Sequence, residues 1–188
     1  MKTPTPMSRF HIHDDLTAPE ASLPILRGAL ASAGQLPNLI GVLAGSPAAL
    51  RGYARFRSEL RNGTLTPPTL ERISLAVAQQ YGSAPGLDLH GRTARTAGLS
   101  LDEMALARAW DSQDEHQSLL LRLLRVLVAE QQRPSAHLVE EARESGWTDE
   151  QLLEAIAFAS IEVFTAMVNI AGDVPADGSH EETRLRAA

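Results

Sequence analysis

Apolar stretches with the three-to-four-residue spacing of a helix face follow one another along this chain, and most are opened by Ser or Thr and closed by Gly. Ser46-Pro47 and Thr66-Pro67 pair a capping hydroxyl with a proline at the first helical position. Ser100-x-x-Glu103 and Thr148-x-x-Gln151 have the form of capping boxes. Gly34, Gly45, Gly63, Gly82, Gly98 and Gly146 stand where the apolar spacing stops. Ala and Leu, two strong helix formers, make up 55 of the 188 residues. Aromatic residues are only 4%, and no segment alternates apolar and polar residues with a period of two. The pattern predicts an all-α fold of about eight helices joined by short loops. Residues 1–16 read as an irregular arm, 17–177 as one helical domain and 178–188 as a polar C-terminal tail.

Within that domain, residues 66–80 are apolar on most sides, with Leu70, Ile73, Leu75, Val77 and Ala78, as a central buried helix requires. Leu120, Leu123, Leu124 and Leu127 line one face of a helix over 117–131. A long helix is expected from Thr148 to about Ala171. Residues 94–100 and 142–148 form a weak repeat at an offset of 48, each a short helix, a glycine stop and a capped helix. Any helix–glycine–helix corner would give this pattern; a duplicated helical pair would give it too. His90 aligns with Leu138, so the second copy carries no site histidine.

The chain has no cysteine, which removes thiol chemistry, disulfides and thiolate metal sites. Its net charge is −6, and Lys2 is the only lysine. A weakly acidic chain without a basic stripe predicts no nucleic-acid partner. Apolar runs such as 126–129 and 155–159 are short beside the ~20 residues of a membrane span, so no membrane partner is expected and a cytoplasmic location is.

Glu71, Tyr81, Ser83, Asp88 and His90 are the strongest cluster of chemistry-bearing residues. A carboxylate in a helix apolar on most faces must be paired, hydrogen-bonded or protonated, and burial would raise its pKa toward that of a general base. Glu71 fits that description, unless it lies on a solvated edge beside Arg72. His90 could face back to it, or be a packed, satisfied histidine. Tyr81 and Asp88 are candidates for holding a substrate oxygen; Arg92 and Arg95 lie about a turn from His90. His11-x-His13 with Asp14 and Asp15 could bind a metal, but such an arm is more often only polar, and no metal or other cofactor is expected. Glu115-His116 and His137 read as solvated, and Trp110 and Trp147 as packing residues near helix ends.

The spacing Glu71-x11-Ser83-x2-Gly86-x3-His90 resembles the E-x11-C-x2-C-x3-H frame of the AhpD-like, alkylhydroperoxidase-related branch of the carboxymuconolactone decarboxylase family. The segments around Gly63-Thr64-Leu65-Thr66 with Glu71-Arg72-Ile73, Gly98-Leu99-Ser100 with Glu103-Met104, Leu36-Pro37-Asn38-Leu39, Ser46-Pro47 and Phe164–Asn169 resemble the same family in the same order. The resemblance implies a multi-helical fold and a homo-oligomer, and it marks Glu71 and His90 as the proton relay of peroxidase members. Ser83 and Gly86 then stand where the redox cysteines would be. A serine hydroxyl does not form a sulfenic acid or a disulfide, and glycine has no side chain, so peroxiredoxin-type oxidoreductase activity is expected to be lost. Two functions remain. A binding or scaffold protein is favoured by the loss of side chains from the redox turn. A non-thiol acid–base enzyme of the decarboxylase type, using Glu71 and His90, is the alternative. Either would place a small-molecule ligand near His90, close to a subunit boundary.

Overall fold

The computed structural model describes residues 8–178; the first seven residues of the expected arm and all but Gly178 of the expected tail lie outside it. Nine α-helices occur among the described residues, and no strand. They are α1 (Leu23–Ala33), α2 (Asn38–Leu43), α3 (Pro47–Arg61), α4 (Pro67–Tyr81), α5 (Ala84–Thr96), α6 (Leu101–Arg108), α7 (Glu115–Val128), α8 (Ala136–Glu144) and α9 (Asp149–Gly172). The chain divides into two compact units, one of residues 1–56 with 167–188 and one of residues 57–166.

In the first unit, residues 8–16 of the expected arm have no helix but are anchored by hydrogen bonds. The amide of Arg9 and the hydroxyl of Ser8 both donate to the carbonyl of Gly172 (2.6 and 2.9 Å). The amide of His13 donates to the carbonyl of Gly41 (3.0 Å). Close approach requires the glycines here: a Cβ at Gly41 would lie 2.8 Å from the His13 carbonyl oxygen, and one at Gly172 would lie 2.8 Å from the Phe10 ring. Thr17 does not start a helix. Asp14 Oδ1 accepts from the amides of Leu16 and Thr17 and from the Thr17 hydroxyl, closing an Asx turn, and helix begins only after a 3-10 turn at Glu20–Ser22. The buried Ser22 hydroxyl donates to the Ala44 carbonyl at 2.8 Å.

The second unit is built around α4. Residues 73–78 are all buried, and Leu75 is fully so. Helices α5, α6 and α7 pack on α4, and Leu75, Ala94, Leu99, Met104 and Ala107 form one apolar cluster. Thr66 caps α4 and Gly82 ends it with a φ of 65°. What reads in sequence as a separate segment over 83–86 is the cap and first turn of α5, with Ser83 as N-cap. The two repeat corners share their geometry: the Leu99 amide bonds the Ala94 carbonyl (3.0 Å) as the Trp147 amide bonds that of Ala142 (3.1 Å), across glycines with φ of 92° and 110°.

The two capping boxes behave differently. At Thr148 and Gln151 both reciprocal bonds form (3.1 and 3.2 Å). At Ser100 only the serine half forms, because the Glu103 carboxylate is taken by Arg72 Nε (2.6 Å), the Gln113 amide (3.0 Å) and the Ser112 hydroxyl. Burial would raise the pKa of Glu103, but those donors together lower it. Leu119, Leu120, Leu121, Leu123 and Leu124 of α7 are buried, which assigns that leucine face to the chain's own core. Helix α9 has 24 residues and contains an 18-residue window of mean hydropathy 1.6, so by length and composition it could cross a membrane, contrary to the expectation drawn from short apolar runs. Half of that window is buried, as in a core helix, and the helix carries Glu162 in an ion-pair network.

Candidate functional site

His90 lies two turns into α5 and is 3% exposed. Its Nδ1–H donates to Glu71 Oε2 on α4 at 2.9 Å, and the hydroxyl of Thr93 donates to the same oxygen at 2.6 Å. On the other side, His90 Nε2 lies 3.4 Å from Glu162 Oε2 on α9. Glu162 Oε1 in turn accepts from the Arg57 guanidinium on α3 at 2.7 Å. Four helices thus meet in one chain of alternating charge: Arg57, Glu162, His90, Glu71.

Burial alone would lower the pKa of His90, since it disfavours the cation. The hydrogen bonds and charges of Glu162 and Glu71 outweigh it and push the pKa up to about 9. The same logic acts in reverse on Glu162. Its burial favours the neutral acid, while His90 and Arg57 hold the carboxyl well below the usual carboxylate range. At neutral pH the ring is therefore held as an imidazolium, with its Nδ1–H on Glu71 and its Nε2 3.4 Å from a Glu162 carboxylate oxygen. The two cations and two anions of the network balance.

Ser83, 1% exposed, accepts from the Gly86 amide at 3.3 Å through its hydroxyl, so the residue at the first expected cysteine position caps α5. A Cβ at Gly86 would stand 3.4 Å from Ser83 Cβ and 3.1 Å from Ala78 Cβ. Tyr81 ends α4, half-buried, and makes no hydrogen bond among the described residues. Asp88 is exposed and pairs with Arg92 at 3.1 Å, so neither joins the His90 network.

Arg57 and Glu162 are the residues that sequence reasoning missed, and both carried a signal. Glu162 is the one charged residue from 155 to 172, and a lone charge in so apolar a helix must find a partner. Arg57 falls on the apolar face of α3 with Leu50 and Tyr53, where a cation is out of place.

His116 is not solvated, as its sequence setting suggested. Its ring stacks on Trp147 with centroids 3.9 Å apart, its Nδ1–H donates to the Ser145 carbonyl at 3.0 Å, and the Trp147 indole N–H donates to the His116 backbone carbonyl at 2.7 Å. His11 and His13 meet edge to face at 4.4 Å. Among the described residues no three His, Asp or Glu side chains are grouped to hold a metal ion.

Residues 47–116 match the model of the carboxymuconolactone decarboxylase family, a span that contains Arg57, Glu71, Ser83, Gly86 and His90 but not Glu162. The solved structure of the alkylhydroperoxidase AhpD core of a peroxidase-related protein from Ralstonia eutropha JMP134 is similar at a TM-score of 0.78 and 19% identity, covering 93% of this chain and 94% of that one. A peroxidase-related protein from Silicibacter sp. TM1040 gives a TM-score of 0.79 at 15% identity, covering 95% and 96%. A cysteine-to-alanine variant of the debrominase Bmp8, in complex with 2,3,4-tribromopyrrole, gives 0.69 at 15% identity, covering 88% and 90%. No curated protein matches the chain in sequence. The fold is that of AhpD-like helical proteins. The match to the carboxymuconolactone decarboxylase model covers 70 of the 188 residues, and the chain has no cysteine at either position of the E-x11-C-x2-C-x3-H frame.

Proposed function

We propose that this chain is a non-catalytic binding or scaffold protein of its family, in which the proton-relay residues persist as a buried ion network. The observation that carries this reading is the position of His90 between two carboxylates, 2.9 and 3.4 Å from its two ring nitrogens, with the ring 3% exposed. Both nitrogens are then donors, and an imidazolium has no lone pair with which to take a proton. The peroxidase reaction is further denied by composition, since Ser83 and Gly86 offer no sulfur to oxidise.

One observation favours the acid–base enzyme instead. Glu71 uses only Oε2 for His90 and Thr93, its Oε1 makes no hydrogen bond among the described residues, and the side chain is 15% exposed. A small molecule reaching that edge would meet a carboxylate oriented by two donors. The debrominase neighbour holds a small halogenated heteroaromatic in the same fold, which supports a small-molecule ligand for this chain as well.

Two assays separate the readings. Alkyl hydroperoxide consumption with a dithiol reductant, and carbon dioxide release from a carboxylated lactone, are both expected to stay at background. Lactone turnover that disappears in Glu71→Gln would establish the enzyme and overturn the scaffold reading.

A further inference from the structure

We infer that the cleft between α7 and α8 is a binding site for a short extended zwitterion, with its ammonium and carboxylate about a tripeptide's length apart. The cleft has a volume of about 410 Å³, within the range of small-molecule sites. It is lined by Glu115, His116, Leu119 and Arg122 of α7 and by Glu141 and Glu144 of α8. Both helices belong to the unit of residues 57–166, and neither supplies a residue to the His90 network. The inference therefore stands whether or not Glu71 and His90 catalyse a reaction.

The two helices form an antiparallel hairpin. Only residues 129–135 separate the end of α7 from the start of α8, and at the opposite end the His116 Nδ1–H bonds the Ser145 carbonyl at 3.0 Å. Glu115, Leu119 and Arg122 follow one another at steps of four and three, so they form one stripe of α7 along the cleft. Glu115 and His116 stand at the end where α8 finishes, with Glu144. Arg122 lies about 9 Å further along α7, at roughly 1.5 Å per residue.

This arrangement separates charge. At the first end Glu115 and Glu144 are both exposed, and neither carboxylate makes a hydrogen bond or ion pair among the described residues. His116 is fixed beside them by its stacking on Trp147 and by the indole bond to its backbone carbonyl. A carbonyl oxygen only accepts, so Nδ1 carries the proton bonded to Ser145, and the neutral ring offers Nε2 as an acceptor. Two carboxylates and an acceptor nitrogen suit an ammonium group. At the other end Arg122 makes no hydrogen bond or salt bridge among the described residues and acts on Asp111 only through its charge. The remaining acid, Glu141, lies 3.5 Å from His137 Nε2 on its own helix rather than on Arg122. A free guanidinium suits a carboxylate, which it holds through two parallel N–H bonds. An extended chain advances about 3.3 Å per residue, so a tripeptide's two charged ends, about 10 Å apart, span the cleft. Leu119, between the ends, gives the middle of such a ligand an apolar surface.

Isothermal titration calorimetry with trialanine tests the assignment. Trialanine should bind, and its amide and its N-acetyl form should each bind about tenfold more weakly, since each has lost one charged end. Arg122→Gln should weaken trialanine by a similar factor and leave trialanine amide unchanged. Glu115→Gln with Glu144→Gln should weaken trialanine and leave N-acetyl-trialanine unchanged. All three side chains are exposed, so these variants should fold as the parent does. No heat from trialanine at millimolar concentration overturns the proposal. Equal binding of the three peptides does so too, as does binding that survives every substitution. If 1,4-diaminobutane or inorganic phosphate binds as tightly as trialanine, the cleft reads one charge alone and the assignment falls.

Discussion

His90 is where the chemistry of single residues decides most. A histidine whose folded pKa of about 9 exceeds its ordinary 6.5 binds an extra proton in the folded state between those values. The stability it contributes is complete below about pH 6.5 and is lost as pH rises through 9. Urea titrations from pH 6 to pH 9.5 should therefore show stability falling by a few kcal/mol, and His90→Gln should flatten that slope. A slope unchanged by the substitution would remove the imidazolium from the network. Glu162→Gln should destabilise the fold by about 3–5 kcal/mol, because it leaves Arg57 and His90 facing a neutral amide. A loss under about 1 kcal/mol in the same titration would mean that solvent compensates those charges. The redox turn makes a separate prediction. Ser83→Cys with Gly86→Cys would place the two Cβ atoms 3.4 Å apart, at the short end of the roughly 3.5–4.5 Å that disulfides span. Under oxidation both thiols should disappear from a thiol titration of the monomer. Two persistently free thiols would show that the Ala78 contact prevents closure.

Among the elements, α4 carries the core and α9 supplies Glu162 to the ion network. Leu75→Ala removes a fully buried side chain and should cost about 2–5 kcal/mol in denaturant. A cost below about 1 kcal/mol would show the site collapsing around the cavity. Thr66→Ala removes the α4 cap and should cost roughly 1 kcal/mol, with Thr66→Gly costing less. The local chemistry of helix ends was legible in sequence: Ser46, Thr66, Ser100 and Thr148 each accept from a backbone amide at a helix start. The failures are as informative. Thr17 and Pro19 read as a helix start, yet the side chain of Asp14, three residues earlier, had a competing turn to make. Glu103 has the spacing of a capping box but bonds Arg72, thirty-one residues away in sequence, a contact that no local pattern encodes.

For the molecule as a whole, the homo-oligomer that the family resemblance implies would make the melting temperature rise with protein concentration, since association stabilises only the folded state. A melting temperature independent of concentration would speak against association. What the sequence determined by itself is what short-range physics controls. Helix-forming composition, caps and glycine stops set an all-α chain, and the absence of cysteine excluded thiol chemistry at Ser83 and Gly86. Glu71 and His90 were legible because they fall within nineteen residues in the frame that the family resemblance supplied. Arg57 and Glu162 became site residues only in the fold, where α3 and α9 bring charges 105 residues apart to 2.7 Å. The apolar pattern marked α7 and α9 alike as rich in large side chains. Periodicity shows that a helix has an apolar face, but not what covers it. Only the packing buried the leucines of α7 and left Leu153, Met167 and Ile170 exposed to solvent.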